Sequence, residues 1–101
     1  SKWYLDIDSD GYGTWKKILH GTASLNFPST SANSSSYIDV TVAGAVQGQS
    51  VSLGVPFEAY IDNTCFVPYV ILPNTLRIVF QNNTSSSQNP SVGDFSYRIF
   101  T

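Results

Sequence analysis

Apolar and polar residues alternate one by one through much of this chain. Within residues 36–43, Ile38, Val40 and Val42 fall on one side, and Tyr37, Asp39 and Thr41 on the other. A period of two in β-branched residues is the pattern of a strand with one buried and one wet face. A helix would scatter those three apolar positions around its surface. The same alternation returns at Ala23, Leu25 and Phe27, at Val51 and Leu53, at Leu76, Ile78 and Phe80, and at Phe95, Tyr97 and Ile99. One such strand cannot bury its apolar face alone, whereas two stacked sheets can.

The breaks between these runs set the elements. Residues 14–20 and 22–27 read as two strands, with a turn permitted at Gly21 and a stop at Pro28, which lacks a ladder N–H. Residues 49–54 form a short strand ended by Val55-Pro56. Residues 57–61 fit a short strand or a helical turn. Asp62-Asn63-Thr64 and Pro73-Asn74 have turn composition. Pro68, inside the apolar run 66–72, marks an edge strand or a bulge, with Val70 and Leu72 inward. Residues 75–81 and 94–100 are the last strands, and the Asn/Ser-rich stretch 82–93 between them is expected to be a mobile loop.

The expected fold is therefore all-β: an antiparallel β-sandwich, jelly-roll or Greek-key like, with about eight short strands. Its expected core is Leu25, Phe27, Ile38, Val40, Val42, Val51, Leu53, Leu76, Ile78, Phe80, Phe95 and Ile99. Residues 1–13 stand apart as an N-terminal arm or edge segment, and residues 14–101 make the sandwich domain.

Composition narrows the function. The 101 residues suit one domain, and 42% of them are apolar, which rules out disorder by composition. Only 12% are charged, against about a quarter in an ordinary soluble domain. Ser, Thr and Asn must cover much of the surface, and few repulsive charges suit lasting contact with other subunits. The net charge of −2 leaves no basic patch for phosphates, so no nucleic acid is expected as partner. No apolar run approaches the ~20 residues of a membrane helix, and no signal-peptide order opens the chain. Ser1 is what loss of an initiator Met leaves, so a complete gene product is expected. The single Cys65 allows no intrachain disulfide and is expected as a small buried side chain.

Candidate chemistry is sparse. Asp6-Ile7-Asp8-Ser9-Asp10-Gly11 opens like a calcium loop, with carboxylates at alternate positions and a Gly to turn the chain. The twelfth position, where an EF-hand needs a bidentate Glu, holds Lys17, so no metal is expected. His20 is the only histidine and cannot anchor a zinc site without other ligands. No nucleophile elbow or phosphate-binding Gly loop is present, so neither an enzyme nor a cofactor is expected. Asn33-Ser34-Ser35, Asn82-Asn83-Thr84 and Asn83-Thr84-Ser85 match the glycosylation triplet, which Ser-rich chains produce by chance. Trp3, Tyr12, Trp15 and Tyr60 could stack on sugars if they shared a surface, and are more often core or interface aromatics.

Longer stretches carry a family likeness. Residues 21–29, Gly-Thr-Ala-Ser-Leu-Asn-Phe-Pro-Ser, lead into Tyr37-Ile38-Asp39-Val40-Thr41-Val42-Ala43-Gly44-Ala45, then residues 46–51 and Gly54-Val55-Pro56. Thr75-Leu76-Arg77-Ile78-Val79-Phe80-Gln81-Asn82-Asn83-Thr84 leads into Pro90 and residues 95–99. From about Lys17 to the end this resembles the small all-β domain of tailed-phage virion proteins: head decoration or cement proteins, head fibres and tail-fibre tips. The resemblance implies a homotrimeric β-sandwich on a virion, made in a bacterial cytoplasm. The first 16 residues lie outside the pattern and look like the docking arm of a cement protein. The expected function is a capsid decoration protein bridging subunits of the major capsid protein, with Trp3, Tyr4, Leu5 and Ile7 as partner interface. The alternative is a receptor- or carbohydrate-binding knob of a head or tail fibre.

Overall fold

The computed structural model describes the backbone of residues 2–7 and 13–101, and side chains from Ile18 onward. Seven strands form two antiparallel sheets: β1 (Lys2–Ile7), β2 (Gly13–Leu25), β3 (Ser34–Thr41), β4 (Ser50–Gly54), β5 (Thr64–Leu72), β6 (Thr75–Asn82) and β7 (Gly93–Phe100). One sheet has the order β1-β2-β7-β4 and the other β3-β6-β5. From β2 to β5 the chain alternates between sheets. It then returns as β6 between β3 and β5, and as β7 between β2 and β4. That is jelly-roll winding with fewer strands than the usual eight.

Two features reduce the expected strand count of about eight. Residues 14–20 and 22–25 belong to one strand, β2, which runs straight through Gly21. Gly21 makes no turn. It lies opposite Tyr97 of β7, and a Cβ there would sit 2.5 Å from the Tyr97 Oη. Glycine is required for the close approach of that ring, not for chain reversal. The second feature is residues 57–61, which contain a single 3-10 turn, Phe57–Ala59, that drops Ala59 into the core.

The core follows the alternation. Leu25, Phe27, Val42, Leu76, Ile78, Phe80, Phe95 and Ile99 are buried as expected, while Ile38, Val40, Val51 and Leu53 are partly buried against them. Leu19, Ala45, Ala59 and Val70 complete the buried set. Phe27, Phe66, Phe80 and Phe95 meet at the centre with ring centroids 5.0–6.1 Å apart. Phe95 comes from one sheet and Phe66 and Phe80 from the other, so this cluster fastens the sheets together.

β5 is an edge strand, as Pro68 requires. Its irregularity lies further on, where the register slips between Val70 and Leu72. The slip reverses the parity, so Val70 is buried while Leu72, expected inward, is 55% exposed. The same alternation corrects Cys65. Phe66 turns inward, so Cys65 faces out and donates to Gln81 Oε1 at 3.3 Å.

The connections at each end are pinned by asparagines. Asn74, at φ 61°, forms the Pro73-Asn74 turn and accepts from Gly44 N through its Oδ1 at 2.8 Å. At the opposite end the stretch 83–92 is held rather than loose. Asn82 is buried at the end of the inward row of β6. Its Nδ2 faces the carbonyls of Thr30, Ser31 and Ser86 at 2.9–3.1 Å. Its Oδ1 accepts from Thr84 N and Thr84 Oγ1. Thr30 and Gln88 add a two-bond backbone bridge between the loops.

Candidate functional site: the outer face of the three-stranded sheet

The inward row of β6 is Leu76, Ile78, Phe80 and Asn82, so Arg77, Val79 and Gln81 face out. Register then fixes their neighbours. Arg77 lies between Asp39 of β3 and Tyr69 of β5, and Val79 between Tyr37 and Val67. Tyr37 is 56% exposed on the β3 side, and Val67 and Tyr69 are 39% and 38% exposed on the β5 side. The Arg77 guanidinium grips Asp39 with both edges, Nε to Oδ1 at 2.8 Å and Nη2 to Oδ2 at 3.1 Å. Its Cζ sits 3.8 Å over the Tyr37 ring, a cation–π contact.

The bidentate hydrogen bond from Arg77 is the main cause that holds the Asp39 carboxyl below its ordinary value; desolvation opposes it, and the charge of Arg77 adds to it. The same bond is the main cause raising Arg77. Because the Asp39 value falls on folding, the pair contributes stability above the ordinary aspartate range and loses it as acid passes through the lowered value. Carboxyl NMR should therefore place Asp39 below 3.8 in the native protein, and Arg77→Met should return it close to 3.8. An unchanged midpoint in the variant would show that Arg77 does not set it.

The chemistry of this face is that of a contact surface. Tyr and Arg are the side chains that dominate the centres of protein interfaces. Arg77 is already gripped by Asp39 and seated over Tyr37, so it loses little freedom when a partner arrives. Its charge is met by Asp39, so the face carries no net charge from this pair.

The other candidates are placed less close together. The outer face of the opposite sheet carries hydroxyls and small residues: Thr22, Ser24, Ser52, Ser96 and Gly54, with His20 opposite Arg98. No group of three metal-ligating side chains occurs among the described residues. Asp6 lies in β1, whereas Asp8, Asp10 and Tyr12 fall outside the described residues. Trp3, Tyr4, Leu5 and Ile7 all belong to β1, which pairs with β2 at the edge of its sheet. Tyr60 stands 60% exposed on the 55–63 connection, near Phe57, which is 91% exposed. A hydrogen bond to Asp62 raises the Tyr60 phenol.

The Tyr37–Arg77–Tyr69 face was not singled out by the sequence. Tyr37 and Asp39 were placed on the wet side of their strand, but joining them to Arg77 needs the β3–β6 register.

No family model matches the chain, and no curated protein or solved structure matches it either.

Proposed function

We propose that this chain is a phage virion structural protein, a decoration or cement protein that lies on the capsid and bridges subunits of the major capsid protein. The exposed Tyr37–Arg77–Tyr69 face, flanked by Val67 and Val79, carries this reading. It offers an ordered, neutral, Tyr- and Arg-rich surface of the kind that binds proteins. The resemblance to tailed-phage head proteins supplies the virion, and the low charge content fits a surface kept against neighbours. Tyr37→Ser with Tyr69→Ser should preserve the far-UV spectrum and reversible melting, and lower occupancy on heads at least about tenfold. Antibody against the chain should label the heads of purified particles. Particles without any label would overturn the reading.

One observation favours the second reading, a receptor- or carbohydrate-binding knob. Phe57 and Tyr60 project from the end of the sandwich that also holds the 26–33 and 83–92 connections. Exposed aromatics on such loops are suited to stacking on a sugar or an outer-surface receptor. Label confined to the tail tip would select this reading over the first.

A further inference from the structure

β2 pairs with β7 from Ile18 to Leu25, and with β1 from Gly13 to Ile18. The β1–β2 ribbon therefore continues past the end of the β7 pairing. A two-stranded ribbon by itself is marginal in water. Register places Trp3 opposite Lys17, Leu5 opposite Trp15 and Ile7 opposite Gly13, so positions 3, 5, 7, 13, 15 and 17, Lys17 among them, share one face of the ribbon. Lys2, Tyr4 and Asp6 take the other face. β1 is also the outermost strand of its sheet, and its outer edge is a template for another strand.

The sequence of β1 reads Lys-Trp-Tyr-Leu-Asp over residues 2–6. Laid antiparallel on a second copy of itself about Tyr4, it matches at every position. Lys2 opposes Asp6 of the second copy, Trp3 opposes its Leu5, and Tyr4 opposes its Tyr4. The first two pairings repeat by symmetry, and the Tyr4 pair lies on the two-fold axis. Parity is kept, so Trp3 and Leu5 of both copies share one face with both Trp15 and both Lys17 positions. Shifting by one residue would oppose Trp3 to Asp6 and mix the faces. Parallel pairing would set Lys2 against Lys2 and Asp6 against Asp6, which is destabilising.

We propose that β1 is a homodimerisation strand: two copies pair edge to edge, antiparallel about Tyr4, and continue one sheet across a two-fold axis. The contact is isologous and closes with two copies, where the family resemblance implies three. It needs no virion, so it stands or falls independently of the function proposed above.

Sedimentation equilibrium of the full chain tests it. The native protein should be a dimer. Asp6→Lys and Lys2→Asp should each raise the dissociation constant at least about tenfold, because each opposes like charges across the seam twice. The double variant Lys2→Asp/Asp6→Lys restores opposite charges in reversed order and should regain most of the affinity. Far-UV spectra of all three should match the native protein. Tyr4→Cys in a Cys65→Ser background should oxidise to a covalent dimer, since directly opposed strand residues lie within disulfide reach. A monomeric or trimeric native protein would overturn the proposal. So would single variants without effect, or a double variant no better than the singles.

Discussion

Replacing Phe95 with alanine should destabilise the domain by about 3–5 kcal/mol. The ring is fully buried and stands 5.0 Å from Phe66 and 5.9 Å from Phe27, centroid to centroid. Removing it takes away burial of an aromatic side chain and leaves a cavity between two sheets that cannot collapse without breaking strand register. Domains of this size have about 5–15 kcal/mol in total, so the variant should sit near the edge of folding. Equilibrium urea unfolding provides the measurement, with Phe95→Leu as the partner variant. Leucine refills much of the space and should recover more than half of the loss. A Phe95→Ala cost below about 1 kcal/mol would mean that the ring cluster does not hold the sheets together.

Asn82→Asp should be nearly as damaging, though it changes one atom. The amide nitrogen faces three carbonyl oxygens at 2.9–3.1 Å. A carboxylate would set a negative oxygen against all three in a buried site. Losing the donors and burying the charge should cost about 3 kcal/mol or more near neutral pH. Burial and the three carbonyls raise the pKa of the new carboxyl in the folded state, and they outweigh the two donors from Thr84. Folding is then favoured by protonation, so the loss relative to wild type should be smallest below the ordinary aspartate range. It should grow as pH rises through the raised folded value. Urea midpoints of variant and wild type, compared across that interval, give the sign. A difference that is flat with pH, or largest in acid, would contradict this account of the site.

The alternation in the sequence carried most of the fold because burial enforces it. A strand with Leu76, Ile78 and Phe80 on one side has one way to face a core. The same row lands next on Asn82, and a polar residue at an inward position demands partners. That signal was present, but residues 82–84 also spell a glycosylation triplet and open a stretch of loop composition, and those features concealed it. Gly21 was misleading for a related reason. A glycine in a strand marks a turn or a close approach, and the residue that approaches, Tyr97, is distant in sequence. Leu72 failed because the slip after Val70 leaves no mark on composition. The contact face needed two registers, β3 with β6 and β5 with β6, and nothing local encodes how strands distant in sequence align.

The unbroken course of β2 gives the molecule a mechanical character. A load applied to the ribbon along its length enters the sandwich through β2, whose eight positions from Ile18 to Leu25 lie against β7. Force directed along a strand loads that whole ladder in shear. Rupture then requires many hydrogen bonds to fail together, whereas a peeling force would open them one after another. With β7 anchored by Phe95 and Ile99 in the core, the path from ribbon to sandwich is a stiff one.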